Sequence, residues 1–302
     1  MRAYVRRLGL VLRFLSARLR AMVAPLPRGE ALPAWNAMFR PSAVTLLLSE
    51  KRRLEAFDIG LFAALNDPRL MGQIAFEYGT LVNWVPSWQG MRVLDIGTGK
   101  STLPCWMIAQ GASVVAFEFP EPVERAGRGA LVRLIDFQVS RYRRRLNQVA
   151  GDMLELPFAD GSFDLVTCLS VIEHLDTQLP DLTFVPYPEQ RRRAGRLLDE
   201  MVRVTRPGGA LYLTSECCDY TRATTDAWRE SYYYRQGPPL SGAWPVRDVP
   251  EIFYDHLVKR GCTLPGGVSF EPNELLGDGS RETFRGPYFS AFSVLARRDE
   301  HP

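Results

Sequence analysis

The chain has 302 residues, 46% of them hydrophobic and 24% charged, a globular composition with enough length for one large α/β domain and its core. No apolar run approaches the roughly 20 residues of a membrane-spanning helix, so an integral helical membrane protein is not expected. The net charge of +3 is uneven: residues 1–29 carry seven arginines and no acid, leaving 30 basic against 34 acidic residues in the rest. A slightly acidic body does not suit nucleic acid.

Taken in order, Tyr4, Leu8, Val11, Leu12, Leu15, Leu19 and Met22 recur at helical spacing, with Arg2, Arg6, Arg13 and Arg20 nearly opposite. This predicts a basic amphipathic helix over 1–24, stopped by Pro25 and Pro27. Arg13 breaks what would be a secretory apolar core, so export is not expected. The helix fits packing on its own protein, peripheral contact with an anionic membrane, or targeting; the pattern leaves all three open. Residues 30–85 extend this helical N-terminal region, anchored by Trp35, Phe39, Leu46, Leu54, Phe57 and Leu61, and show no recognisable chemistry.

From residue 86 a second unit begins, running to 302. Strands are predicted at Met91–Ile96, Ser113–Phe117, Gln148–Ala150, Phe163–Leu169 and Ala210–Thr214. Helices are predicted over 102–110, 121–145, 189–205 and 251–260, with final strands near 266–271 and 287–297. Repeated β-α-β order predicts a doubly wound, mostly parallel sheet with helices on both faces. Residues 216–250 form a connection rich in Tyr220, Trp228, Tyr232, Tyr233, Tyr234 and Trp244, the composition of a lid or acceptor-binding loop or, equally, of aromatics packed on the N-terminal helices. Arginine runs at 141–145 and 191–193 fit solvated helix faces or, less simply, an anionic acceptor.

Five cysteines, an odd number with no CxxC spacing, and three histidines support neither a disulfide framework nor a metal site. A reducing, cytoplasmic setting is the expectation.

The chemistry concentrates at Val93-Leu94-Asp95-Ile96-Gly97-Thr98-Gly99-Lys100-Ser101, a strand running through a glycine turn into a helix. Glycines let the backbone approach a ligand, and the first amides of the helix face polar atoms. A GxGxxG dinucleotide fingerprint would need glycine where Thr102 stands, and a Walker loop would need one at 94. Further blocks follow in order: Val114-Val115-Ala116-Phe117-Glu118, then Gly151-Asp152-Met153 with Leu156-Pro157-Phe158-Ala159-Asp160-Gly161-Ser162-Phe163-Asp164, then Ser170-Val171-Ile172-Glu173-His174-Leu175, then Arg203-Val204-Thr205-Arg206-Pro207-Gly208-Gly209.

With these blocks the chain resembles the class I S-adenosylmethionine-dependent methyltransferases, and among them the small-molecule group called methyltransferase type 11. The resemblance covers about 75–298 and is strongest over 91–213. It implies a Rossmann-like, seven-stranded sheet and S-adenosyl-L-methionine as cofactor, held by Asp95, Gly97, Thr98, Gly99, Glu118, Asp152, Met153 and Ser170. Glu118 would take the ribose hydroxyls, a task suited to an acceptor-only carboxylate. Asp152 would lie near the adenine amino group, with Met153 bordering the ring. Asp164 reads as structural, and His174 is the candidate general base.

The expected reaction is methyl transfer to a small-molecule or lipid-linked acceptor. The alternative is a non-catalytic cofactor-binding or membrane-peripheral scaffold of the same fold. The Asp/Asn-Pro-Pro-Tyr segment of DNA amino-methyltransferases is absent after Leu169. Pro104-Cys105 sits in the first helix, away from the region where cytosine enzymes place their nucleophile, so nucleic-acid substrates are disfavoured.

Overall fold

A computed structural model describes residues 36–37, 77–78, 80–81, 84–98, 103–118, 147–178, 183–218, 244–269 and 289–300. The expected helices at 1–24 and 121–145, most of 30–85, and Gly99 lie outside the described residues.

The main strands of the central sheet are β1 (Arg92–Ile96), β2 (Ser113–Glu118), β3 (Asn147–Ala150), β4 (Phe163–Leu169), β5 (Thr205–Cys218), β6 (Cys262–Thr263) and β7 (Phe289–Arg298). Two short pairs lie apart from it, Thr177–Gln178 with Thr183–Phe184 and Asn36–Ala37 with Val268–Ser269, the latter within the strand expected near 266–271. The main strands lie in the order β3-β2-β1-β4-β5-β7-β6, and the two-residue strand Trp244–Pro245 pairs beside the end of β5. Pairing is parallel from β3 through β5. Only β7 runs the other way, antiparallel to both β5 and β6. This is the Rossmann-like sheet expected, with one short strand added.

Alternate side chains on each central strand feed two separate apolar layers, as the pleat demands. On one face, Leu94, Ile96, Val166, Cys168, Leu211 and Leu213 pack against helix α2 (Tyr187–Val204), which buries Ala194, Leu197, Leu198 and Met201. On the other, Val93, Val114, Leu165, Ala210 and Tyr212 meet helix α1 (Leu103–Ala109) and the segment containing Tyr78, Leu81, Val85 and Trp88. The packing therefore takes in residues ahead of the expected boundary at 85, from Glu77 to Val85, and Asn36–Ala37 also pairs with Val268–Ser269. Tyr212 Oη donates to the Glu77 carbonyl at 3.0 Å, tying that segment to the sheet.

Strand β5 is longer than the predicted Ala210–Thr214. Phe163 pairs with Thr205 and Leu165 with Ala210, so Pro207-Gly208-Gly209 is an irregularity inside a strand's register, with Gly208 at φ 71°. At its other end β5 continues to Cys218 because β7 supplies partners for every residue from Ala210 onward. With Trp244–Pro245 also paired, the unassigned part of the 216–250 connection narrows to 219–243, outside the described residues. The predicted helix 251–260 is a π-helical stretch, Pro250–Asp255, leading into helix α3, His256–Lys259. Cys168, Cys217 and Cys262 are buried cysteines that form no disulfide. Among the described residues no helix is long and apolar enough to cross a membrane.

Arginine 191 pairs with Glu251 at 2.8 Å and Arg193 with Glu189 at 3.1 Å, while Arg192 also contacts Glu189. This run thus serves the helix surface, as the plainer reading held; the run at 141–145 lies outside the described residues.

Tyr212→Phe removes one buried donor to the Glu77 carbonyl. The expected result is a loss of about 1–2 kcal/mol in denaturant unfolding, with faster amide exchange at residues 77–85.

Candidate active site

The strand order reverses at β1, which has β2 on one side and β4 on the other. The segments leaving the carboxyl ends of β1 and β4 part there, and open α/β sheets receive ligands in such a crevice. Of the blocks singled out in the sequence, the turn after β1, the end of β2, Gly151-Asp152-Met153 and the segment from Ser170 lie at this edge.

Gly97 leaves β1 at φ 68°, a left-handed conformation that glycine adopts without steric cost. A β-carbon there would collide with the side chain of Val171, which follows β4. The two segments that bound the crevice touch at this point. The amides of Gly97 and Thr98 both donate to the Phe117 carbonyl, at 2.8 and 3.4 Å, so the turn is hung on β2 as well.

Asp95 is buried, and its two carboxylate oxygens are both engaged. Thr167 Oγ1 donates to Oδ1 at 2.6 Å and Thr98 Oγ1 to Oδ2 at 2.9 Å. Burial pushes the Asp95 carboxyl up to about 6; the two hydroxyls resist that rise, and the charge of Glu118 adds to it. In this structure Asp95 braces the turn against β4. Nothing in the sequence singled out Thr167; a threonine inside the apolar run Leu165–Leu169 was the available signal.

Glu118 ends β2 with an exposed side chain, and its carbonyl accepts the Gly151 amide at 3.0 Å. That bond brings the Gly151-Asp152-Met153 block beside the strand end. Asp152 is exposed, and Oδ1 accepts the Leu154 amide at 2.8 Å, which fixes a turn. Met153 is half-buried against the α2-side core. Asp95, Gly97, Thr98, Glu118, Asp152, Met153 and Ser170 thus lie at four adjacent strand ends, those of β3, β2, β1 and β4.

Ser170 follows β4 and has φ 52°, the one positive value among the described residues other than glycine. Its amide donates to the Thr214 carbonyl at 3.0 Å and its Oγ to Glu77 Oε1 at 2.5 Å. A non-glycine residue held in this region costs about 1–3 kcal/mol and persists where its surroundings over-determine it. Glu77 was invisible to sequence reasoning, since it comes from a segment that showed no chemistry.

Next to it, the 3-10 turn Ile172–Asp176 carries Glu173 and His174 in opposite settings. His174 is exposed. Glu173 is buried and accepts from Ser215 Oγ at 2.7 Å. Its burial, and then the like charges of Glu216 and Glu77, push the carboxyl well above its ordinary value. Glu77, Glu173 and Glu216 are all buried, giving this rim a strongly acidic interior. The polar run Thr214-Ser215-Glu216 at the end of a central strand was the sequence signal for it.

Asp164 has the structural role expected. It accepts from the Arg92 amide at 2.7 Å and from Arg206 Nε at 2.5 Å, at the opposite end of β4. Burial opposes its charge, but the Arg92 amide and the Arg206 guanidinium outweigh that and hold the carboxyl below its usual range.

A doubly wound sheet with a glycine turn and a strand-end acid at its switch point is a Rossmann-like arrangement with its ligand edge at the ends of β1 and β4. Residues 94–213 match the family described as "Methyltransferase domain". A demethylmenaquinone methyltransferase of Mycobacterium sp. (strain KMS) is 33% identical over 147 residues, covering 47% of each chain. Another, from Beutenbergia cavernae, is 34% identical over 168 residues, 56% of this chain and 57% of that one. The chain therefore spans about half the length of the curated relatives it matches. Among solved structures, Burkholderia thailandensis 1,6-didemethyltoxoflavin-N1-methyltransferase with bound 1,6-didemethyltoxoflavin and S-adenosylhomocysteine is 16% identical. The match has a TM-score of 0.43 and covers 91% of this chain and 94% of that one.

Asp95 yields a pH test. Its folded carboxyl titrates near 6 against 3.8 as the ordinary value, so the protonated form is favoured on folding. Its contribution is fully present below about pH 4 and is lost as pH rises through 6, a change of about 3 kcal/mol. Asp95→Asn is expected to flatten that part of the unfolding free energy between pH 4 and 7. Gly97→Ala, strained and overlapping Val171, is expected to lose at least about 2 kcal/mol by denaturant unfolding.

Proposed function

We propose that the chain catalyses methyl transfer from S-adenosyl-L-methionine to a small-molecule or lipid-linked acceptor. The carrying observation is the braced Asp95–Gly97–Thr98 turn at the switch point beside the exposed Glu118 carboxylate, within the matched domain.

The donor set fits the cofactor. Glu118 offers a solvent-facing carboxylate for vicinal ribose hydroxyls, and a carboxylate accepts from both. The Gly97 turn brings main chain, with no side chain in the way, to the ligand side. Asp95 and Glu118 make the surroundings anionic, which suits a sulfonium cation. Asp95, Gly97, Thr98, Gly99, Glu118, Asp152, Met153 and Ser170 are the residues that would hold it, with Asp95 acting through Thr98. When bound, the cofactor supplies a methyl group already activated by positive sulfur.

The protein's own task is then alignment and exclusion of water, a proximity problem that needs no covalent intermediate. His174, exposed on the turn after β4, is the proposed base for an acceptor hydroxyl, amine or activated carbon. Glu173, whose carboxyl is pushed well above its ordinary value by burial and then by the charges of Glu216 and Glu77, is poorly placed to compete for that proton. The names of the relatives support an acceptor like demethylmenaquinone, an apolar ring on a lipid tail. The aromatic stretch 219–243 and the basic amphipathic pattern of 1–24 suit such a substrate and its membrane surface, in a cytoplasmic protein.

Calorimetric titration with S-adenosylhomocysteine tests the cofactor. Wild-type protein is expected to bind in the micromolar range, about −8 kcal/mol, with Glu118→Ala weaker by about 1.5–3 kcal/mol for a lost charge-assisted bond. Folded wild-type protein that shows no heat of binding would sink the assignment. In turnover with a demethylmenaquinone analogue, His174→Ala is expected to lower kcat about 100-fold with S-adenosylhomocysteine affinity unchanged. An unchanged kcat would remove His174 from the chemistry.

A further inference from the structure

The loop from Gly151 to Gly161 joins β3 to β4 and carries Asp152 and Met153. Beyond Gly151, whose amide is held by the Glu118 carbonyl, the hydrogen bonds internal to the loop are short-range: Asp152 with Leu154, Asp152 with Glu155, Leu156 with Phe158, Ala159 with Ser162. These shape turns but cannot place the loop against the sheet. Two residues of α2 supply that placement.

Arg203 spreads its guanidinium across the loop. Nη1 donates to the Phe158 carbonyl and to Asp160 Oδ1, each at 2.7 Å, and Nη2 donates to the Leu156 carbonyl at 2.9 Å. The other side of the same guanidinium is gripped by Glu200, through Nε at 2.8 Å and Nη2 at 2.7 Å. Glu200 Oε2 in turn accepts the Leu156 amide at 2.7 Å. Both main-chain polar groups of Leu156 are thus bonded to side chains one helical turn apart, and the Gly161 amide closes the loop on the Arg203 carbonyl at 2.9 Å. Beneath this, the Phe158 ring lies edge-on between Phe163, 5.1 Å away, and Phe117, 5.9 Å away. Phe117 is the residue whose carbonyl carries the glycine turn and whose neighbour is Glu118.

We infer that Arg203 and Glu200 are positioning residues that hold the 151–161 loop, through Leu156 and Phe158, in the shape that receives the adenine end of the cofactor. The inference rests on the methyltransferase reading and deepens it: part of the cofactor site's accuracy is set from α2, by side chains that never meet the ligand. Only a planar fork with five donors can reach two carbonyls and two carboxylates at once, so lysine does not replace it.

The test uses the full chain, titrated separately with S-adenosylhomocysteine and with adenosine, together with amide hydrogen exchange. Arg203→Ala is expected to weaken both ligands by the same factor, about ten-fold, as a shift near 1 Å in a positioned group does. Exchange at Leu156 should quicken while β1 and β4 keep their protection. Arg203→Lys should move affinity the same way, and it decides the matter if the alanine variant does not fold. Arg298→Ala is the control: its Nη1 donates to the Val202, Arg203 and Thr205 carbonyls and touches no loop atom. It should lower Tm yet keep both affinities within about two-fold, because the Arg203 and Glu200 side chains keep their bonds to Leu156 and Phe158 even though Arg298 shares the Arg203 carbonyl with the Gly161 amide.

Wild-type protein that binds neither ligand overturns the methyltransferase reading. Wild-type protein that binds, with unchanged affinity in both Arg203 variants, overturns the positioning role alone. An equal loss in Arg298→Ala also overturns it, because affinity would then merely follow stability.

Discussion

The buried carboxylate of Asp95 is the point on which the site depends. One oxygen takes the Thr98 hydroxyl from the turn after β1, the other takes the Thr167 hydroxyl from the middle of β4. A single side chain thereby locks the ligand-facing turn to the neighbouring strand across the switch point. Burying that charge is costly, as the carboxyl's rise to about 6 records, and the two hydroxyls offset part of the cost. The arrangement leaves Asp95 poised to favour its charged form when a cation arrives nearby, so the brace and the electrostatics come from the same group.

Around this brace the crevice is bounded by strain and by acid. Gly97 and Ser170 stand on the two sides of the switch point with positive φ, and Val171 fills the space that a larger residue at 97 would need. Glu77, Glu173 and Glu216 converge on the same rim from three separate parts of the chain. Three carboxyls cannot all ionise in a buried space, and Glu173 yields by keeping its proton. The result is an acidic interior rich in hydrogen-bonding groups, beside an exposed Glu118 and an exposed His174.

How much of this could be read in advance follows from the range of each interaction. Strands β1, β2 and β4 were legible because they are buried on both faces and read as short apolar runs between turn residues. The ends of β5 were not, because their extension to Cys218 is dictated by pairing with β7, more than 70 residues later. Pro207-Gly208-Gly209 carries turn chemistry in any window, and only the registers Phe163 to Thr205 and Leu165 to Ala210 make it an irregularity within a strand. Asp164 was read correctly as structural, since the recurrent Phe-Asp pair opens a strand far from the glycine turn.

The sequence by itself determined the order of strands and helices, the glycine turn, the strand-end acid and the family resemblance, because each is written in residues close together in the chain. It also singled out Asp95, Gly97, Thr98, Glu118, Asp152, Met153, Ser170 and His174 as a set. Tertiary structure alone decided what these groups do to one another: that Asp95 turns inward to Thr167, that Glu77 crosses 93 residues to meet Ser170, and that Arg203 reaches back 45 residues to hold Phe158. Those contacts join segments that no local pattern relates. A side chain's partner and its degree of burial, which together set its charge and its role, exist only once the chain has folded.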